Sequence, residues 1–295
     1  MNKAILINKD LCKECGLCVE VCPNKIIIKK NSNGISFRDD RINLCFKCGQ
    51  CMAICSSKSI TVSGLSYDKD FFEFSDDKND ENTFYELIYT RRAIRNFKKR
   101  PVSKDLLEKI VRAISFAPPG YPPIKFEITV VNDPEIIKKS LPHMVKLYAS
   151  LVDVMKIPIK RFFVRKKVGT QKFNLMQEHL IPLLKSRLPE LKEGIEDTLT
   201  RYAPALILFH LDRNGVDASE DIMVAATYGM LAAHSLGLGG SIMSILPPAI
   251  DKNIELRILF KIPESNQVLS SIIIGHPKYK YRRGIKRTIK KVVWL

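Results

Sequence analysis

Eight cysteines, all that this chain of 295 residues contains, fall into two runs of one spacing: Cys12, Cys15, Cys18 and Cys22, then Cys45, Cys48, Cys51 and Cys55. Both runs read C-x-x-C-x-x-C-x-x-x-C. Three thiolates of a tight loop can grip three corners of a metal-sulfur cube, while the fourth, starting the next turn, points elsewhere. A disulfide framework would suit a short secreted chain, and zinc sites use C-x-x-C pairs more than triplets. The repeat reaches past the cysteines. Asp10-Leu11 precedes the first run and Asn43-Leu44 the second, and Lys25-Ile26 and Lys58-Ser59-Ile60 follow them. One half-module has been duplicated.

The spacing resembles that of bacterial two-cluster ferredoxins, in which the fourth thiolate of each run serves the other 4Fe-4S cluster. On that pattern Cys12, Cys15, Cys18 and Cys55 hold one cluster, and Cys45, Cys48, Cys51 and Cys22 hold the second. The first run closes on Cys22-Pro23, as the pattern asks. The second closes on Cys55-Ser56, which removes the proline but no ligand.

A hydrophobic content of 45% over this length suffices for a small metal-held module and one larger domain. Residues 4–7 form a short apolar run between lysines, without the long apolar stretch and small-residue cleavage site of a secretory signal. Thiolate ligands suit a reducing interior, so a cytoplasmic location is expected. Residues 222–250 carry no formal charge and are long enough to cross a bilayer. Gly237, Gly239, Gly240, Pro247 and Pro248 interrupt them, which favours a buried helix, a glycine turn and a strand over a membrane span. The net charge of +17 invites a nucleic-acid reading, but no recognition helix or aromatic RNA-binding signature accompanies the dispersed lysines. A basic surface of this kind suits acidic electron carriers or anionic substrates.

The two-cluster module is placed at residues 1–65, an acidic, asparagine-rich linker carrying Phe71, Phe72 and Phe74 at 66–82, and a second domain at 83–295. That domain opens with a T-x-x-E capping box, Thr83 and Glu86, on a helix expected to bury Phe84, Leu87 and Ile88. The helix delivers Arg91, Arg92 and Arg95 in the string RRAIRNF. A second helix follows Pro101 and Ser103, with Leu106, Leu107, Ile110, Val111 and Ile114 at helical spacing, and stops at Ala117-Pro118-Pro119-Gly120. Strand-like runs at 126–131, 205–211 and 268–275 alternate with helical segments, giving an α+β fold with a sheet covered by helices. Residues 134–203, lysine-rich and amphipathic, form an excursion of the kind that shapes substrate pockets.

Four motifs, in this order and spacing, resemble the nitroreductase-like FMN oxidoreductases, in the subgroup with an N-terminal two-cluster ferredoxin domain. They are Arg91-Arg92-Ala93-Ile94-Arg95, the turn Ala117-Pro118-Pro119-Gly120, the helix and loop ending in Gly237-Leu238-Gly239-Gly240, and Gly275-His276-Pro277 with the basic tail after it. The resemblance implies a nitroreductase-like domain with a mixed sheet flanked by helices. It implies that Arg91, Arg92 and Arg95, with the backbone of Ala93, hold the FMN phosphate and ribityl chain, for which planar guanidinium forks are suited. It places Pro118, Pro119 and Gly120 on one side of the flavin ring and Leu238, Gly239 and Gly240 on the other, with Arg283 or Arg287 reaching the phosphate. Many relatives carry serine at the position of Ala93, and an asparagine where Tyr121-Pro122-Pro123 follows here. Ring recognition then rests more on backbone groups.

The resemblance further implies a homodimer with FMN at its interface, and a route in which reduced ferredoxin or another low-potential donor feeds the two clusters and then FMN. Hydride leaves FMN N5 for an electron-poor acceptor such as a nitro compound, quinone or activated double bond. No catalytic side chain is assigned; Tyr121 is a proton-donor candidate by position only. The glycine loop at 237–240 follows a helix, whereas a Rossmann loop follows a strand, so no separate nicotinamide domain is expected. His143, His179, His210, His234 and His276 lack metal-ligand spacing, and His210 and His234, in apolar strings, are expected to be buried and hydrogen-bonded. One rival reading is a non-enzymatic electron-transfer or redox-sensing flavoprotein acting on a protein partner. Another is oxygen-dependent flavin breakdown, which oxygen-labile clusters disfavour.

Overall fold

A computed structural model describes residues 5–30, 34–45, 47–74, 83–118, 125–214 and 218–295. The chain divides into two compact units, Met1–Thr90 with Tyr279–Leu295, and Arg91–Lys278.

The first unit begins with β1 (Ile5–Ile7), α1 (Leu17–Val21) and the hairpin β2 (Ile27–Lys30) and β3 (Gly34–Phe37), followed by α2 (Gln50–Ile54) and β4 (Ile60–Val62). β1 pairs antiparallel with β4, so the first strand closes onto the last strand of the duplicated module. The duplication extends to backbone conformation. Glu14 and Lys47 have φ of 49° and 54°, Gly16 and Gly49 of 77° and 75°, and Lys25 and Lys58 of 50° and 54°. These left-handed residues bend the chain tightly around the cysteines, and glycine takes the position directly before each helix at no steric cost. Ile5, Ile26, Ile27, Met52, Ile60 and Val62 pack with the cysteines into one core.

Next come α3 (Tyr67–Asp70), β5 (Phe71–Glu73) and α4 (Thr83–Thr90). α4 starts at the expected threonine but turns its apolar side outward. Phe84 is 61% exposed, Ile88 38%, and no residue of the helix is fully buried.

The second unit holds α5 (Lys104–Ile114), β6 (Glu127–Val131), α6 (Pro134–Val154), α7 (Pro158–Val168), α8 (Thr170–Leu175) and α9 (Ile181–Lys192). It continues with β7 (Ala205–Asp212), α10 (Ser219–Ser235), β8 (Gly239–Ile242), α11 (Leu246–Asp251), α12 (Ile254–Leu259) and β9 (Asn266–Gly275). Ser103 caps α5 through the Leu106 amide at 3.4 Å, and Asp133 caps α6, whose first residue is Pro134. The four strands run in the order β6-β7-β9-β8 with antiparallel pairing. An isolated parallel bridge between Ala93 and Gly240 adds a further segment beside β8.

Alternation along β7 gives the sheet two apolar faces. Ala205, Ile207, Phe209 and Leu211 pack with α5 and α10, whereas Leu206 and Leu208 pack with α6, α9, α11 and α12. The excursion at 134–203 is thus a helical layer that covers the second face. Residues 222–250 form most of α10, the turn, β8 and most of α11. Among the described residues no helix is long and apolar enough to cross a membrane.

The last strand, β10 (Arg283–Ile285), belongs to the first unit, where it pairs antiparallel with β5 in the register Arg283↔Glu73, Gly284↔Phe72 and Ile285↔Phe71. This pairing draws the boundary differently from the expected one. Phe71 and Phe72, expected in a linker, form a strand, and residues 279–295 group with the cysteine module.

Candidate functional site

All eight cysteines are unbridged. Cys15 and Cys48 lie in the left-handed turns, and Cys18 and Cys51 on α1 and α2. Burial, then the thiolates of Cys55, Cys15 and Cys12, pushes the Cys18 thiol up to about 12. Cys18 therefore faces the other three members of the first expected set. Cys22, Cys45, Cys48 and Cys51, the second set, line one pocket with Ile5, Pro23 and Val62. Burial raises Cys51 well above the ordinary thiol value, with further repulsion from Cys48, Cys22, Cys18 and Cys45. Thiolates crowded into buried space repel one another unless cations sit between them, and iron in a cube supplies that charge. The donor set fits two 4Fe-4S clusters.

The fourth cysteine of each run accepts the amide four residues on: Ile26 N–H to Cys22 Sγ at 3.3 Å, and Ser59 N–H to Cys55 Sγ at 3.4 Å. Burial works to raise the Cys55 thiol, but the hydroxyls of Ser59 and Ser57 and nearby amides outweigh it and lower the value.

In the second unit two distant motifs converge on residues 91–98. The Ile94 amide donates to Gly240 O at 2.9 Å, and Ala93 bridges Gly240. A Cβ on Gly239 would stand 2.5 Å from Ile94 Cγ1, so only glycine admits this approach. The Lys98 amide donates to His276 O at 2.9 Å, and the Lys278 amide to Asn96 O at 3.0 Å. Burial lowers the pKa of Arg91, and burial followed by Arg91 and Arg92 lowers that of His234, which places these three side chains together near the end of α10.

This arrangement has known relatives. Residues 88–276 match the nitroreductase family, and residues 11–60 match a 4Fe-4S dicluster domain. The chain belongs to the nitroreductase family. The fold is shared with an FMN-dependent nitroreductase from Clostridium difficile, at 19% identity and a TM-score of 0.52, covering 73% of this chain and 100% of that one. It is also shared with a nitroreductase with bound FMN from Bacteroides fragilis, at 19% identity and a TM-score of 0.50, covering 72% and 95%. Iodotyrosine deiodinase 1 of Rattus norvegicus is 23% identical over 202 residues. The match spans 66% of this chain and 62% of that relative's length.

The two arginines of this nitroreductase-family chain that the resemblance assigns to the flavin phosphate make bonds within the cysteine unit. Arg283, only 6% exposed, bonds Glu73 through Nε, Cys55 O through Nη1 and Ser56 O through Nη2 at 3.4 Å. The β5–β10 register sets it opposite Glu73, so its fork is committed to the cysteine unit. Arg287 reaches Cys48 O at 3.5 Å, in the same unit. Pro118 follows the end of α5; Pro119, Gly120 and Tyr121 lie outside the described residues.

Arg95 has neighbours that sequence reading missed. Burial, then Arg187 and Arg95, pushes Arg201 down to about 9, with Asp197 and Glu196 acting the other way. Asp197, buried, holds the turn by accepting the amides of Leu199, Thr200 and Tyr202 at 3.0, 2.8 and 2.8 Å, and Arg201 and Tyr202 there adopt φ of 61° and 51°. No motif marks this turn. His210 is buried as expected. Asn266 Nδ2 donates to its Nδ1 at 2.8 Å, which leaves Nε2–H to donate to Thr129 Oγ1 at 3.1 Å.

Proposed function

We propose that this nitroreductase-family protein is an FMN-dependent oxidoreductase in which two 4Fe-4S clusters pass electrons from a low-potential, ferredoxin-like donor to FMN and on to an electron-poor small molecule. Bound clusters move electrons singly, whereas bound FMN stores two and releases hydride from N5. Cys12, Cys15, Cys18 and Cys55 hold one cluster, and Cys45, Cys48, Cys51 and Cys22 the other. Arg91, Arg92 and Arg95 hold the FMN phosphate and ribityl chain, with Ala93 offering backbone. Leu238, Gly239 and Gly240 would pass one side of the ring, with Pro118 on the other.

The single observation that supports this reading best is the bonding of the 91–98 segment to both the glycine loop and the 275–278 segment inside a family fold. It joins the arginine fork to a backbone without side-chain bulk, which suits a flat ring with a phosphate tail. Arg287, which is exposed, is the tail arginine proposed for the phosphate, since the Arg283 fork already bonds Glu73, Cys55 O and Ser56 O.

The acceptor class is a nitro compound, quinone or activated double bond. The match to a deiodinase adds a carbon–iodine bond to the acceptors worth assaying. A homodimer is part of the proposal, supported by the exposed Phe84, Tyr85, Ile88 and Tyr89 of α4 and by exposed Val293, Trp294 and Leu295. A monomer in solution that retains FMN would contradict it.

The test is anaerobic turnover with reduced ferredoxin, in the native chain and in Cys48→Ser. Reduction of the acceptor should depend on the donor and collapse in the variant while FMN stays bound. Full turnover with a nicotinamide donor alone, unaffected by Cys48→Ser, would sink the electron route. Electron uptake without reduction of any small molecule would leave a carrier or sensor.

A further inference from the structure

The two half-modules agree in left-handed turns and in the amide that each fourth cysteine accepts. They part at the side chains two and four residues beyond that cysteine. In the first half these are Asn24 and Ile26. Asn24 Nδ2 donates to Leu44 O, away from the sulfur, and Ile26 is a core residue at 2% exposure. In the second half they are Ser57 and Ser59, whose hydroxyls stand 3.6 Å and 3.3 Å from Cys55 Sγ. A sulfur bound to iron carries no proton, so both hydroxyls donate to it. Ser59 is buried, which holds its hydroxyl where it stands. The loss of proline after Cys55 is thus the start of a serine-rich segment turned onto one ligand.

We propose that Ser57 and Ser59 raise the midpoint potential of the cluster held by Cys12, Cys15, Cys18 and Cys55 above that of its duplicate. A single electron entering the cysteine unit then comes to rest beside Cys55.

The physical reason is charge. Taking up one electron makes a cluster and its thiolates one unit more negative, and a hydrogen bond to a ligand sulfur stabilises the more negative state more. The amide bonds from Ile26 to Cys22 and from Ser59 to Cys55 are common to both halves. Cations are shared out between the two: Arg283 bonds Cys55 O and Ser56 O, Arg287 bonds Cys48 O, Lys47 acts on Cys45, and Lys58 and Lys25 occupy equivalent positions. Arg283 and the Tyr67 phenol also act on the Cys55 side and in the same direction, and the two serine hydroxyls, which have no counterpart at Cys22, add to them. In the transfer a low-potential one-electron donor is oxidised and one cluster is reduced, with no bond broken and no proton moved. The second electron fills the cluster of Cys22, Cys45, Cys48 and Cys51.

This rests on the ligand sets proposed above, and the two can fail separately. The experiment is an anaerobic potentiometric titration of the full-length protein followed by electron paramagnetic resonance, in the native chain, in S57A/S59A and in S59T. Two waves are expected. In S57A/S59A the upper wave falls, the lower one stays and the separation narrows, whereas S59T, which keeps the hydroxyl, retains the upper wave. Movement of the lower wave, equal movement of both, no movement, or a single native wave would overturn the proposal. If S57A/S59A does not hold its iron, the native protein decides by pulsed proton resonance in heavy water. The signal that appears first on reduction should lose more exchangeable proton couplings than the second; equal losses would overturn the proposal. The ligand sets are read independently: Cys12→Ser and Cys55→Ser perturb the same wave if the sets are right, and different waves if they are wrong.

Discussion

The three glycines of the 237–240 loop are required for three different reasons, so replacing each by alanine should give three different costs. Gly237 has φ 74°, and nothing lies within 4 Å of where its Cβ would stand. Its amide bonds His234 O at 3.0 Å and the Leu238 amide bonds Ala233 O at 2.8 Å, the turn that ends a helix on a left-handed residue. Gly237→Ala therefore costs about 1 kcal/mol, from conformation alone. At Gly239 a Cβ would stand 2.5 Å from Ile94 Cγ1 and 2.7 Å from Ile94 Cβ. A rotamer change cannot move the latter atom, so overpacking of about 2 kcal/mol is expected. At Gly240 the Cβ would stand 2.7 Å from Ile273 O, which is backbone of β9, and Gly240 O also holds the Ile94 amide. Relief requires β8 to shift on β9, at about 3 kcal/mol or more. Hydrogen exchange of the β8 and β9 amides reads these costs locally, without assuming that the two units unfold together. Protection should fall about fivefold for Gly237→Ala and more than about a hundredfold for Gly240→Ala, with Gly239→Ala between. Ile94→Ala should partly relieve Gly239→Ala, so that the pair costs about 1 kcal/mol less than the sum. Gly240→Ala within twofold of the native chain, or Gly237→Ala as the most damaging change, would refute this reasoning.

Other outcomes follow from the same structure. Asp197→Ala strands the amides of Leu199, Thr200 and Tyr202, and should cost about 3 kcal/mol in the opening of residues 195–203, read by hydrogen exchange. Burial holds the pKa of His210 below its ordinary 6.5. As pH falls below 6.5 the unfolded chain takes up a proton that folded His210 resists, so stability of the second unit declines until the lowered value is passed. His210→Gln should flatten that decline in acid titrations followed by circular dichroism, leaving the shares of His234 and His276, which are shifted the same way. Arg283→Gln should speed tryptic release of the 279–295 segment and lower iron retention, with FMN content unchanged. Loss of FMN with iron intact would return Arg283 to the flavin phosphate.

Sequence alone made legible whatever is written in local spacing. Two runs of cysteines, Pro101 and Ser103 before α5, and the apolar run that becomes β7 each carry their structure within a few residues. What it missed is long-range. Arg283 sits 210 residues from Glu73 in sequence, and only the β5–β10 pairing brings them together. The same pairing turned an expected linker into a strand. The apolar periodicity of α4 marks a helix, but periodicity names an apolar face without saying what covers it, and Phe84 and Ile88 are exposed within the chain. The Asp197 turn and the guanidinium group of Arg95, Arg187 and Arg201 depend on packing in the 134–203 layer, which no motif announces.

The iron, sulfide and flavin content of protein purified without oxygen comes before any other measurement. Two cubane clusters require about eight irons and eight sulfides per chain, and a working flavin site about one FMN. Finding all three supports an electron route from cysteine unit to flavin. Iron without flavin, even after FMN is added back, would contradict it and leave a basic cluster carrier in a nitroreductase fold.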